Sequence, residues 1–305
     1  MANKGDIIFS NIYKECIFMK LVTQTEILSE RFGDEAAVKI ICESGFDGID
    51  YSMFCMSDDN DFLNTPSYKN HVKEIRKIAE SYSVTFDQSH APFPPMREGD
   101  EEYSRKTMEK VKRALEISGI LGSKICVVHP CVFSENQFER NMEMYHTLEP
   151  YAGDYGVKIA IENMWGWSDS LNRIVPNVCS TADDFNRYVD AVNPEFFTAC
   201  LDLGHCGLVG DDAASMIRDM GSRLGCLHIH DNDNIHDTHT LPYLSKMDWD
   251  SILKALADID YAGNFTYEAD GFLRMFPDSM LVECEKFMCG IGREMIKKIN
   301  EYKGN

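Results

Sequence analysis

Short apolar runs alternate along this chain with longer segments in which apolar residues return every three or four positions. The runs at 7–12, 48–51, 84–88, 124–128, 158–161, 198–201, 226–229 and 264–267 have the length of buried strands. The segments at 34–44, 68–82, 101–121, 138–155, 181–192, 211–224, 249–259 and 278–302 carry the helical period. In one of them Met108, Val111, Leu115 and positions 117–121 fall largely on one face. Gly after Ser44, Tyr155 and Leu224 reads as a helix end, because Gly accepts the left-handed backbone that terminates a helix. Positions 180–184, Ser-Thr-Ala-Asp-Asp, read as a helix start with acid at the positive end of the dipole. Asp248 is the expected N-cap of the helix at 249–259.

Strands separated by helices must run parallel, since each needs a crossover connection. Eight such units are the number that closes a barrel. The expectation is therefore an α/β chain forming one (β/α)₈ TIM barrel over residues 1–305. An open doubly wound sheet is the alternative, but no Gly-rich phosphate loop follows the first strand. Two long loops, 163–180 and 231–246, follow strands, on the side where a barrel builds its active site.

The charge narrows the partners. Fifty acidic against 30 basic residues give a formal charge of -20, and no basic run interrupts it. Such a field opposes a polyanion, so nucleic acid is not the expected partner. No apolar run approaches the roughly 20 residues of a membrane helix, so no membrane is expected either. Eleven cysteines without a C-x-x-C pair, and no secretory signal at the start, read as reduced thiols in a cytoplasmic protein. A homo-oligomer or a small accessory subunit stays open.

The chemistry sits where strands become loops. Polar residues follow the apolar runs at Gln88-Ser89-His90, His129, Glu162-Asn163, Asp202 to His205, His228 to Asp231 and Glu268, with Asp237 and His239 in the loop after the seventh strand. Singly, a His at a strand end is more often a hydrogen-bonded core residue, and a Glu more often a cap. Six successive strand ends in one barrel converge on one mouth, where carboxylates and imidazoles crowd unless a cation organises them. The mixed oxygen and nitrogen set suits Mn²⁺, Zn²⁺, Co²⁺ or Fe²⁺ better than Ca²⁺.

The runs I-E-N at 161–163, L-D-L-G-H at 201–205, L-H-I-H-D at 227–231, D-T-H at 237–239 and Y-E at 267–268 resemble the xylose isomerase-like barrel superfamily. That superfamily holds sugar isomerases and epimerases, inosose dehydratases and endonuclease IV-like repair enzymes. The resemblance implies metal ligands at Glu162, Asp202, His228 and Glu268, with one divalent ion in the sugar-active members. It implies further zinc ligands at His90, His129, His205, Asp237 and His239 in the endonucleases. The sequence departs from common patterns at His129-Pro130-Cys131, where Gly often follows Pro, and at positions 241–244, which lack the usual Gly-containing turn.

The leading expectation is a metal-dependent sugar or keto-sugar isomerase or epimerase that abstracts a proton beside a carbonyl, with Glu162 and Glu268 as the two carboxylates. His90, His205, Asp237, Trp165 and Trp167 are expected to bind the small sugar substrate. The two Trp read equally well as a hydrophobic lid. A lyase acting on a keto-sugar, similar to an inosose dehydratase or to a deglycosidase of 3-keto C-glycosides, would use His129 or His239 as its acid–base residue. A zinc phosphodiesterase and a non-catalytic ligand-binding barrel are the remaining alternatives.

Overall fold

The computed structural model describes residues 19–304. The strand expected at 7–12 lies outside them. Eight parallel strands form the central sheet without it. They are β1 (Leu21–Gln24), β2 (Gly48–Ser52), β3 (Thr85–His90), β4 (Ile125–Val127), β5 (Lys158–Glu162), β8 (Phe197–Asp202), β9 (Leu224–His228) and β10 (Phe265–Tyr267). A parallel bridge between Ile229 and Tyr267, with Glu268 N–H donating to the Ile229 carbonyl at 3.1 Å, joins β9 to β10 and closes the ring. This is the expected (β/α)₈ barrel. The addition is β1, a fully buried four-residue strand paired with β10 on one side and β2 on the other. It is too short to show a period, and α1 (Glu26–Phe32) follows almost at once.

The outer helices are α2 (Asp34–Ser44), α3 (Tyr68–Ser81), α4 (Glu101–Leu121), α5 (Gln137–Tyr155), α6 (Ala182–Asp190), α8 (Ala213–Met220), α9 (Trp249–Asp258) and α11 (Leu281–Tyr302). Short helices α7 (Leu203–Leu208) and α10 (Asp270–Arg274) lie just beyond strand ends. Asp248 caps α9 through Ser251 N–H, and Thr181 caps α6 through Asp184 N–H, as their sequence positions suggest. Gly45 and Gly156 end α2 and α5 in left-handed backbone. Gly225 does not end a helix. Helix α8 stops at Met220, and Gly225 sits in β9, where a Cβ would come within 2.0 Å of Thr198 Oγ1. Its role is close approach of two strands. The loop expected at 163–180 contains an antiparallel hairpin, β6 (Trp165–Ser168) with β7 (Arg173–Pro176).

Strand alternation explains the site. Residues two apart share a face. Val127, Ala160, Cys200 and Cys226 form a small buried cluster apart from the main core, whereas Ile159, Ile161, Ala199 and Leu201 belong to the core between sheet and helices. The small cluster therefore fills the barrel interior. One step of two toward the C-terminal ends lie Glu162, Asp202 and His228, and Asp202 pairs directly with His228 in register. Small side chains below leave the space that these polar groups occupy.

Candidate metal centre and active site

Glu162, Asp202, His228 and Glu268 each offer a ligand atom within 4.8 Å of the others. All four are buried, with Glu268 the most accessible at 6%. His228 is the hub: its Nδ1 lies 3.0 Å from Glu162 Oε1 and 3.0 Å from Glu268 Oε2. Its other nitrogen, Nε2, faces Asp50 Oδ2 at 3.5 Å without a hydrogen bond. Glu268 Oε1 accepts from Gln24 Nε2 at 3.0 Å. Asp202 is held from several sides. Its backbone N–H donates to Asn163 Oδ1 at 2.7 Å, and its own Oδ1 caps α7 by accepting from His205 N–H at 2.8 Å. That cap places His205 over the site.

Three further histidines share one orientation. His90 Nδ1 donates to the Ala91 carbonyl at 2.9 Å, His205 Nδ1 to that of Asn163 at 2.8 Å, and His239 Nδ1 to that of Glu268 at 2.9 Å. Tying Nδ1–H to a carbonyl turns Nε2 toward the mouth, which is how ligating imidazoles are commonly oriented. The freed atoms meet acceptors and one another. His90 Nε2 is 2.9 Å from His129 Nε2, and His129 Nε2 is 2.9 Å from Glu162 Oε2. His205 Nε2 and His239 Nε2 reach Asp237 at 3.5 and 3.2 Å. His230 Nε2 bonds Asp202 at 3.0 Å, and its ring stacks on His239 with centroids 3.9 Å apart. His239 adopts a φ of 43°, rare for a residue with a side chain, and this bend turns its ring back over Asp237.

The protons follow this packing. Burial opposes charge on Glu162, but the adjacent His228 and His129 hold it well below the usual carboxylate range. Burial likewise opposes charge on His205, and Asp202 and Asp237 overcome it, pushing the imidazole up to about 10. His129 goes the other way, lowered by burial despite Glu162.

Above the cluster is a cavity of about 500 Å³. Glu162, Glu268, His129, His205, Asp237 and His239 reach its wall, as does Trp165, whose indole N–H donates to Asp237 Oδ2 at 3.0 Å. His90, Asp202 and His228 lie beneath it, while Trp167 is exposed on the hairpin, away from the wall.

A model of the xylose isomerase-like TIM barrel family matches residues 38–277. The chain belongs to that family. Fructoselysine 3-epimerase of Escherichia coli O157:H7 is 23% identical over 250 residues, 78% of this chain and 86% of that one. Protein y4fM of Sinorhizobium fredii is 26% identical over 170 residues, 53% of this chain, so the match spans about half that relative's length, 52%. The crystal structure of a D-tagatose 3-epimerase-like protein shares the fold with a TM-score of 0.73 at 20% identity, covering 93% of this chain and 99% of that chain. Sugar epimerases thus recur among the family members that this chain resembles.

Within this family barrel the donor set can be tested against a divalent ion. Glu162 Oε2, His228 Nε2, His230 Nδ1 and Asp237 Oδ1 are buried without an aligned hydrogen bond among the described residues. Unsatisfied buried polar atoms are costly; a cation among Glu162, Asp202, His228 and Glu268 would give Glu162 a partner, and one among His205, His230, Asp237 and His239 would do the same for Asp237. Carboxylate and imidazole donors together suit Mn²⁺, Co²⁺ or Zn²⁺. The residues fit such an ion.

Several participants were not singled out from sequence. Gln24 bonds Glu268, Asp50 faces His228 Nε2, and Glu26, Asp270 and Arg274 line the cavity, while Asn163, quoted only within the I-E-N run, holds Asp202. His230 and Asp231 stood within the L-H-I-H-D run without separate roles. Asp231 proves to anchor the following loop, accepting from Ser245 N–H, Met247 N–H and Trp249 Nε1–H. Its signal was an acid after a strand, indistinguishable in sequence from a ligand.

Proposed function

We propose that this protein is a divalent-metal-dependent epimerase or isomerase of a sugar or keto-sugar, moving a proton at the carbon beside the carbonyl. One observation carries the reading: Glu162 and Glu268, from opposite parts of the ring, converge on His228 Nδ1 and both reach the cavity. Glu162, Asp202, His228 and Glu268 would hold the ion. Bound there, it would polarise the substrate carbonyl and stabilise the negative charge left by deprotonation.

The chain's own groups do the rest. Glu162, held ionised by its histidines, takes the proton from the substrate carbon. Glu268, kept in place by Gln24 and held ionised by His228, takes up a proton from solvent and returns it to the carbon, while Glu162 gives its proton up to solvent. Return to the opposite face of the same carbon epimerises it, and return to the neighbouring carbon isomerises the sugar. His205 and Asp237 meet substrate hydroxyls, and Trp165 covers a sugar face. The sugar epimerases among its relatives support this reading.

The test is hydrogen exchange. Metal-loaded protein in D₂O should place deuterium at the carbon beside the carbonyl of a ketohexose or keto-glycoside, seen by NMR, together with the epimer or isomer. Absence of exchange across a panel of such sugars would remove the proposal. Exchange with release of water or an aglycone would identify the lyase, with His129 or His239 as acid.

One observation favours a second reading. His205, His230, Asp237 and His239 form another ligand group, and His90, His129 and Glu162 a third. Three ions there would suit a phosphodiester-cleaving enzyme. Elemental analysis finding about three zinc ions per chain, with nicking of abasic DNA, would establish it. One ion and no nicking leaves the sugar reading.

A further inference from the structure

A second cavity, of about 680 Å³, adjoins the one above the carboxylates. Glu26 and Phe54 line both, so the two share a wall. Phe54 sets its ring edge-on to His90 at 4.6 Å and to Phe93 at 5.0 Å, which fixes its place between the two spaces.

Beyond Phe54 the surface of the second cavity is largely apolar, with Phe62, Leu63 and Cys55 contributing. Phe62 is half exposed at 48% at the rim, with its ring against His71 at a centroid distance of 5.3 Å. Most of the charged groups nearby are already engaged. Asp34 accepts from the Tyr51 hydroxyl at 2.6 Å and pairs with His71 at 2.7 Å, while Arg274 ties Glu26 at 2.8 Å and Glu30 at 3.2 Å. These pairs make a fixed frame.

Size points to a bound molecule. Small-molecule sites run from roughly 300 to 1,000 Å³, and the cavity over the carboxylates is by itself large enough for one sugar. An unsubstituted sugar, polar on every side, gains little from Phe62 and Leu63. We infer that the second cavity is a subsite for the aromatic substituent of a glycosidic keto-sugar. The sugar ring lies over Glu162 and Glu268, and its aryl group passes Phe54 to rest on Phe62 and Leu63. This rests on the keto-sugar reading of the adjoining site.

The test separates binding from turnover. Calorimetry compares phenyl β-D-glucopyranoside with methyl β-D-glucopyranoside as inert probes. The phenyl probe should bind at least tenfold more tightly. Ser29→Trp, which fills the second cavity, should abolish that advantage. Phe62→Ala, an exposed position that does not endanger folding, should reduce it by threefold or more. Equal affinity of the two probes, or an advantage untouched by both variants, overturns the subsite. In D₂O the metal-loaded protein should exchange an aryl 3-keto-glucoside faster than the free 3-keto sugar. Equal exchange overturns the subsite and leaves proton transfer standing. Exchange into neither, with the phenyl preference intact, removes the proton-transfer reading and supports the subsite alone.

Discussion

His228 Nδ1 stands 3.0 Å from Glu162 Oε1, so a proton on that nitrogen occupies ground that a cation at the cluster would take. Burial disfavours charge on His228, yet Cys200, Glu268 and Glu162 hold its imidazole well above the ordinary range. Metal and proton therefore compete for the same place. Uptake of Mn²⁺ or Co²⁺ by metal-free protein should release protons, and affinity should rise with pH. Calorimetry in buffers of different ionisation enthalpy measures the release. Asp202→Ala and His228→Ala should each lose bound metal on elemental analysis. Full metal content in both would overturn this ligand set.

Glu162→Gln and Glu268→Gln test the carboxylates. General acid–base groups contribute roughly 10²–10⁴-fold, so each variant should lose at least a hundredfold in kcat. Their circular dichroism should match the parent, because the amide keeps the shape. Deuterium exchange resolves the roles: a variant that still exchanges substrate hydrogen but forms no epimer has lost the returning group. Unchanged turnover in either would end the two-carboxylate mechanism.

What the sequence made visible follows from geometry. Glu162, Asp202, His228 and Glu268 stood at the ends of apolar runs, and closure of a ring requires such ends to meet. The helices were legible because their period extends over many residues, as in α4. Gln24 was hidden because β1 has only four residues. Asn163 and His230 act through register and tautomer: the same letters could have pointed elsewhere. The second cavity was not legible at all, since Phe54, Phe62 and Ser52 come together only through the turns after β2.

Glu285 offers a test unconnected with catalysis. It lies fully buried in α11, neither carboxylate oxygen has a hydrogen-bond partner among the described residues, and burial pushes it up to about 8. An unfolded Glu titrates near about 4.3. Between those values the folded chain keeps a proton that the unfolded chain releases, so stability falls as pH rises through this window. The contribution is fully present below the unfolded value and lost above the folded one. Melting the parent at pH 6 and pH 9 should show a drop of several degrees. Glu285→Gln should show a much smaller drop and melt above the parent at pH 9. Parallel behaviour of the two proteins would mean that Glu285 finds a partner.

Gly204 tests how tightly the second ligand group is built. A Cβ there would stand 2.0 Å from His230 Cε1, and that ring is pinned by its bonds to Asp202 and its stack on His239. The ring is not a flexible chain end, so Gly204→Ala must move it. Overpacking of this kind costs about 1–3 kcal/mol. The melting temperature should fall, and any metal held by His205, His230, Asp237 and His239 should bind more weakly. Gly290→Ala is the matched control: Gly290 lies within α11, and a Cβ there meets nothing within 4 Å among the described residues. Replacing a helical Gly with Ala stabilises by roughly 0.5–1 kcal/mol, so that variant should melt slightly higher. If Gly204→Ala melts as high as Gly290→Ala, the imidazole cluster has slack, and the close packing of α7 against His230 does not fix its place.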